Sequence, residues 1–296
     1  MASTSFADTS RFEKNSSGFR LPCDTLFASS SNNSSHATYS IRKISLANVN
    51  ISVLDMNEAI GWAGSILSSK TNKPAFVVTP NPEILVEASR NSSLVKALNE
   101  ADMSFADGTG LILAAKLKGY KIHKITGIDF VEDLIRHHKT SSLKIFIIGG
   151  FDDTAKNAAV FLKKCFPRHD FQVASFAPFI NQDGTFSRDY EQKKTLNEIV
   201  HSFADILIVG FGAPKQELWI SKYKDNFPMI KIVIGIGGAL DIWAGNKIRA
   251  PKFLRFLGLE WAWRFLIEPK RASRMLNALF VFPLLLLRYG HEKTIK

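Results

Sequence analysis

Only two cysteines, Cys23 and Cys165, occur in 296 residues. That excludes a disulfide-dense secreted scaffold and a cysteine-rich zinc site. No uninterrupted run of about 18 apolar residues is present, and the mean hydropathy is 0.00, so a bilayer-spanning helix is not expected. Several motifs are missing as well: Asp-x-Asp, His-x-x-x-His, Gly-x-Ser-x-Gly and Gly-Lys-Ser/Thr. Their absence removes support for the metal-holding motif of many sugar-nucleotide enzymes, a helical zinc pair, a serine-hydrolase elbow and a P-loop. Acid is in short supply too. The 27 Asp and Glu against 38 Lys and Arg leave a net charge of +11. Such an excess favours phosphate-bearing partners: nucleic acid, anionic lipid or a nucleotide-type substrate.

What is present divides the chain into three zones. Residues 1–42 are rich in Ser and Asn, with a run from Ser29 to Ser35, and carry no periodic apolar pattern. They read as a disordered leader. Few acids, many serines and scattered arginines also fit an organelle transit peptide. Residues 43–245 alternate short β-branched runs with helix-length stretches. The runs are Ala75–Thr79, Leu143–Ile148, Asp205–Val209 and Lys231–Ile234. Continuous apolar strands of this kind are buried on both faces, so the spacing predicts a doubly wound, mostly parallel, Rossmann-like α/β sheet with helices on both faces. Helices are expected over Asn81–Arg90, Thr109–Leu117, Asp129–His138, Asp152–Cys165 and Gln192–Phe203. Cys165, at the end of an apolar stretch, reads as a core residue and not as a nucleophile. Residues 246–296 form a helical appendage punctuated by Pro251, Pro269 and Pro283. From Lys247 onward, eleven Lys and Arg face only Glu260, Glu268 and Glu292. Basic, aromatic and apolar together describe an interfacial membrane segment better than a DNA-binding arm. A solvated tail with one packed face is the alternative, and the same apolar surface would serve a homo-oligomer.

In a parallel α/β sheet, ligands bind where strands end and helices begin. Four loops of this sequence lie at such places. In Thr79-Pro80-Asn81-Pro82-Glu83, Asn81 is either a ligand or a helix cap. In Ala106-Asp107-Gly108-Thr109-Gly110, Asp107 is a general base, a ribose ligand or a turn residue capping the next helix. In Gly210-Phe211-Gly212-Ala213-Pro214-Lys215-Gln216-Glu217, Lys215 and the backbone around Gly212 are suited to a diphosphate. Gln216 is suited to a sugar or base there, and Glu217 reads as surface polarity of the helix. In Gly235-Ile236-Gly237-Gly238 through Asp241, small residues permit close approach, and Asp241 either binds a hydroxyl or sits in a turn.

These loops, in this order, resemble the WecG/TagA/CpsF glycosyltransferases (glycosyltransferase family 26). The resemblance runs from about Ile51 to Arg274. It also rests on Ile125-Thr126-Gly127-Ile128-Asp129, Arg249-Ala250-Pro251, Leu259–Arg264 and Glu268–Arg274. It implies an inverting transfer of N-acetylmannosamine or a related sugar from a UDP donor to a polyprenyl-diphosphate-linked sugar. It places that activity peripherally, at the cytoplasmic face of the membrane, in teichoic-acid-type or other surface-polymer synthesis, with no metal and no cofactor. By position it makes Asp107 the catalytic base. Thr79 and Asn81 become polar neighbours of that base, and Gln216 a pocket residue. Arg264, Arg271 and Arg274 become the arginines that close over the diphosphate. Lys124 stands where the family often has Arg, which keeps the charge but loses the bidentate fork. Removing everything after about residue 246 is then expected to abolish turnover and to leave the α/β core folded. Two other classes compete. One is a non-catalytic nucleotide-sugar or lipid-binding protein on the same fold. The other is a nucleic-acid binder, against which stand the apolar character of the basic tail and the lack of any nucleic-acid motif.

Overall fold

The computed structural model describes residues 41–138 and 141–289, apart from the side chains of residues 270 and 271. The leader expected over residues 1–42 falls almost wholly outside the described residues. The first element is a hairpin of β1 (Lys43–Leu46) and β2 (Val49–Ser52). Its two-residue turn, Ala47-Asn48, has φ of 50° and 65°, the conformation that matches strand twist in a tight hairpin. Helix α1 (Met56–Ser68) begins with a reciprocal capping box between Asp55 and Glu58, which satisfies two otherwise unpaired backbone donors.

The main sheet has six strands: β3 (Ala75–Val78), β4 (Met103–Ser104), β5 (Lys144–Gly149), β6 (Asp170–Val173), β7 (Ile206–Gly210) and β8 (Ile232–Gly235). Their order is β4-β3-β8-β7-β5-β6, and every pairing is parallel. The four runs read from the sequence are therefore the four central strands. The two edge strands escaped because β4 has two residues and β6, Asp-Phe-Gln-Val, is only partly buried.

Alternate side chains of each central strand point to opposite faces. Phe76, Val78, Phe146, Ile148, Leu207, Val209 and Val233 enter one core. Helices α2 (Pro82–Ala88), α3 (Ser92–Asn99), α4 (Thr109–Leu117), α7 (Asp189–His201) and α8 (Lys215–Tyr223) pack there. Val77, Ile145, Ile147, Ile206, Ile208, Ile232 and Ile234 enter the other. That face is covered by α1, α5 (Gly127–His137), α6 (Thr154–Cys165) and α9 (Ala239–Trp243). Cys165 packs partly buried at its rim. The fold is thus α/β with a wholly parallel six-stranded sheet.

After α9 the chain forms α10 (Lys252–Phe256), α11 (Glu260–Ile267) and α12 (Pro269–Arg288). Pro269 suits the first turn of α12, and Pro283 lies inside that helix. Helix α12 lies on α2, and its Ala278, Phe282 and Leu285 enter the first core. The spacing of these three residues is that of one helix face. The last helix is therefore part of the core, and cutting the chain after residue 246 uncovers α2. Among the described residues no helix is long and apolar enough to cross a membrane.

Phe282 is buried. Truncating it to Ala is expected to lower the unfolding free energy by about 3–5 kcal/mol. Urea unfolding followed by circular dichroism measures this, and an unchanged midpoint would contradict the packing of α12.

Candidate active site

The sheet order brings the loops after β3, β4, β7 and β8 to one carboxyl-terminal edge. A cavity of about 430 Å³ opens among them. Thr79 and Asn81 from the β3 loop line it, as do Asp107 from the β4 loop and Thr126 at the start of α5. Gly212 and Gln216 follow β7, and Gly237 and Asp241 follow β8. The tail supplies Arg249, Glu260, Arg264 and Arg274.

Asp107 is the distinctive group. It does not cap α4: the N-cap is Gly108, at φ 115°, with no side-chain cap bond. Asp107 makes no side-chain hydrogen bond to the described residues. Burial raises its carboxyl from 3.8 to about 6. Glu260 and Asp129 push it the same way, while Arg264 and Lys124 pull it down. A carboxyl poised there is ionised at neutral pH and still basic enough to take a proton.

Cations and acids ring the cavity. Glu260, only 7% exposed, bonds Lys124 Nζ at 2.9 Å and Arg264 at 3.2 Å. Burial alone would raise the Glu260 carboxyl, but those two cations hold it below its ordinary value. Burial likewise disfavours the charge on Arg264, and Asp107, Glu260 and Glu268 more than offset that. Arg249 bonds Asp129 at 2.7 Å, and its buried Nε has no partner among the described residues. Lys247 joins Asp241 at 2.9 Å to Glu268 at 3.5 Å. These pairs fasten the tail to the loops of the sheet.

The residues singled out by sequence separate into distinct groups. Thr79, Asp107, Gly212, Arg264 and Arg274 line the cavity. Arg274 is exposed there. Asn81 also lines it, but its Oδ1 accepts from Ile84 N–H at 3.0 Å and caps α2, so only the amide nitrogen is left for a ligand. Gln216 also lines the cavity but is only 3% exposed, and both ends of its amide bond within the protein. Its Oε1 accepts from Gly212 N–H at 3.1 Å and Gly237 N–H at 3.0 Å. Its Nε2 donates to Glu217 at 2.8 Å. Lys215 and Lys124 do not line the cavity. Lys215 opens α8, and the Lys124 charge is taken by Glu260. The Arg271 side chain lies outside the described residues. Glu217 overturns the surface reading: it is 1% exposed, because the first turn of α8 is packed under the loops. Sequence reasoning gave no role to Glu260, Arg249 or Asp129. The available signal was an acid four residues before Arg264 in an otherwise basic tail, the spacing of a helical ion pair.

Residues 44–295 match the family model described as "Glycosyl transferase WecG/TagA/CpsF family". The chain belongs to that family. It is a glycosyltransferase, as the sequence resemblance implied. Curated relatives carry the name N-acetylglucosaminyldiphosphoundecaprenol N-acetyl-beta-D-mannosaminyltransferase. One, from Staphylococcus aureus strain MRSA252, is 30% identical over 234 residues, 79% of this chain and 88% of the relative. Another, from strain COL of the same organism, is 29% identical with the same coverage. In this transferase, Glu260 is the acid shared by the sheet loops and the tail. Its replacement by Gln removes the ion-pair partner of Lys124 and the carboxylate that Arg264 bonds. A loss of about 3 kcal/mol in unfolding free energy is expected, as for breaking other buried ion pairs. Chemical denaturation measures it, and a variant as stable as the parent would contradict the bridge.

Proposed function

We propose that this transferase moves N-acetylmannosamine, or a closely related sugar, from a UDP donor to N-acetylglucosamine on a polyprenyl diphosphate. The reaction inverts the anomeric centre and takes place at the cytoplasmic face of a membrane. The relatives' names support the sugar and the acceptor. The observation that carries the reading for this chain is Asp107, a carboxyl without a side-chain hydrogen bond among the described residues, raised to about 6 at the carboxyl edge of the sheet and faced by Arg264.

The acceptor hydroxyl oxygen attacks the anomeric carbon, and its proton passes to an Asp107 carboxylate oxygen. The bond from that carbon to the UDP oxygen breaks, and the electron pair leaves with the diphosphate. Developing charge on that diphosphate needs donors placed in advance. Arg264, Arg274 and the unpartnered Nε of Arg249 supply them on this reading, in place of a divalent cation. Thr79 and the Asn81 amide nitrogen orient sugar hydroxyls.

A lipid-linked acceptor also calls for a surface where its isoprenoid can stay in the bilayer. Helices α10–α12 present Phe253, Phe256, Leu266, Phe280 and Leu284 to solvent, with Phe256 91% exposed. Interleaved Lys252 and Arg288 suit anionic headgroups. On this reading helices α10–α12 cover the site while lying in the interface.

The test is UDP release by the purified full-length chain, with a polyprenyl-diphosphate-N-acetylglucosamine analogue, UDP-sugars and EDTA. Acceptor-dependent release is expected, with Asp107→Asn slower by about 10²–10⁴-fold. Release from the Asn variant at the parental rate would contradict the role of Asp107. The same variant is expected to melt higher above about pH 6. The folded carboxyl titrates above the unfolded one, so its charge costs stability there, and the cost fades as pH falls toward the ordinary carboxyl value of 3.8. Vesicles of anionic lipid are expected to sediment with the parent and less with Phe256→Ser/Leu266→Ser. Equal sedimentation would contradict the membrane surface.

A further inference from the structure

Glu217 is a buried acid that the transfer reaction does not use. It lies in the first turn of α8, and its Oε1 accepts a hydrogen bond from the neighbouring Gln216 amide, at 2.8 Å. Its second oxygen, Oε2, is buried without a partner among the described residues. Burial raises its carboxyl to about 7, so its place in the fold is maintained against a desolvation cost.

What that cost sustains is visible one bond away. The Gln216 amide has two ends with different tasks. Its oxygen bridges the backbone N–H groups of Gly212 and Gly237, which belong to different strand loops on one side of the cavity. Its nitrogen is equally buried and needs an acceptor. Glu217 is that acceptor. Room for the amide comes from Gly235, where a Cβ would stand 2.8 Å from Gln216 Nε2. Gly212, Gly237, Glu217 and Gly235 therefore hold one amide in one orientation, and that amide clamps two ligand-facing loops together.

We propose that Glu217 is a positioning residue for the nucleotide donor, acting through Gln216 to fix the spacing of the Gly212 and Gly237 loops. This deepens the proposed function and rests on its UDP donor. It separates from a merely structural role, because replacing a buried acid by an apolar residue of similar size removes desolvation cost and need not weaken the fold. Glu217→Met loses the acceptor, whereas Glu217→Gln keeps a carbonyl oxygen in its place.

The experiment measures UDP binding by calorimetry and steady-state kinetics on the full chain, for the parent, Glu217→Met, Glu217→Gln and Gly235→Ala. Thermal melts on the same samples establish folding. Glu217→Met is expected to weaken UDP binding and raise the donor KM about tenfold or more, with kcat within about threefold. Glu217→Gln is expected to restore both to within about threefold. Gly235→Ala, whose Cβ would crowd the same amide, is expected to reproduce the KM effect and keeps the test open if Glu217→Met fails to fold. Parental UDP binding in the Met and Ala variants would overturn the inference while leaving the UDP reading intact. So would a Gln variant as impaired as the Met variant. A parent that binds no UDP would overturn both.

Discussion

Glu260 lies between Lys124 and Arg264, and the rest of the site is arranged around that three-charge bridge. Lys124 belongs to the loop before α5, while Glu260 and Arg264 belong to α11. The bridge therefore joins the sheet to the C-terminal helices at the edge of the cavity. Buried ion pairs repay little of their desolvation cost in net stability, but they penalise every arrangement that separates the partners. Here the penalised arrangement is a tail detached from the loops. Arg249 with Asp129, and Lys247 with Asp241 and Glu268, repeat the device at two further points.

The same charges set the field at Asp107. Burial lifts its carboxyl, and the neighbouring acids and cations adjust it to about 6. A carboxylate accepting backbone N–H bonds would titrate far lower and make a poor base. The loop avoids this by beginning α4 at Gly108, whose φ of 115° lets the chain turn without using the Asp107 side chain as a cap. The cavity thus holds a destabilising group where the proposed transfer needs a base. Packing elsewhere, including Phe282 of α12 against α2, carries the stability.

Much of this was legible in the sequence. The four central strands are continuous β-branched runs, and the bounds read for Thr109–Leu117 match α4, which is built around the apolar run Leu111–Ala115. The Gly-rich loops after β7 and β8, with Asp107 after β4, pointed to the cavity because parallel strands expose their carboxyl ends at one edge. Three things were not legible. The β1–β2 hairpin turns at Ala-Asn and not at Asn-Gly, so it carries no strong turn signal. The burial of Glu217 depends on how α8 tucks beneath the loops, and local polarity says nothing of that. The partner of Lys124 lies 136 residues away, a separation no spacing rule reaches. For the same reason the tail read as an appendage, although α12 shares the first core.

The central claim is that burial and the Glu260 bridge together hold the Asp107 carboxyl near 6 for proton abstraction. It is tested most directly by the pH dependence of single-turnover transfer in the parent and in Glu260→Gln. The parent rate is expected to fall below an apparent pKa of about 6, because protonated Asp107 cannot accept the acceptor's proton. Removing the Glu260 charge, which raises that carboxyl, is expected to move the limb to lower pH. An unshifted limb in Glu260→Gln, or a parent rate level down to about pH 4, would contradict the account.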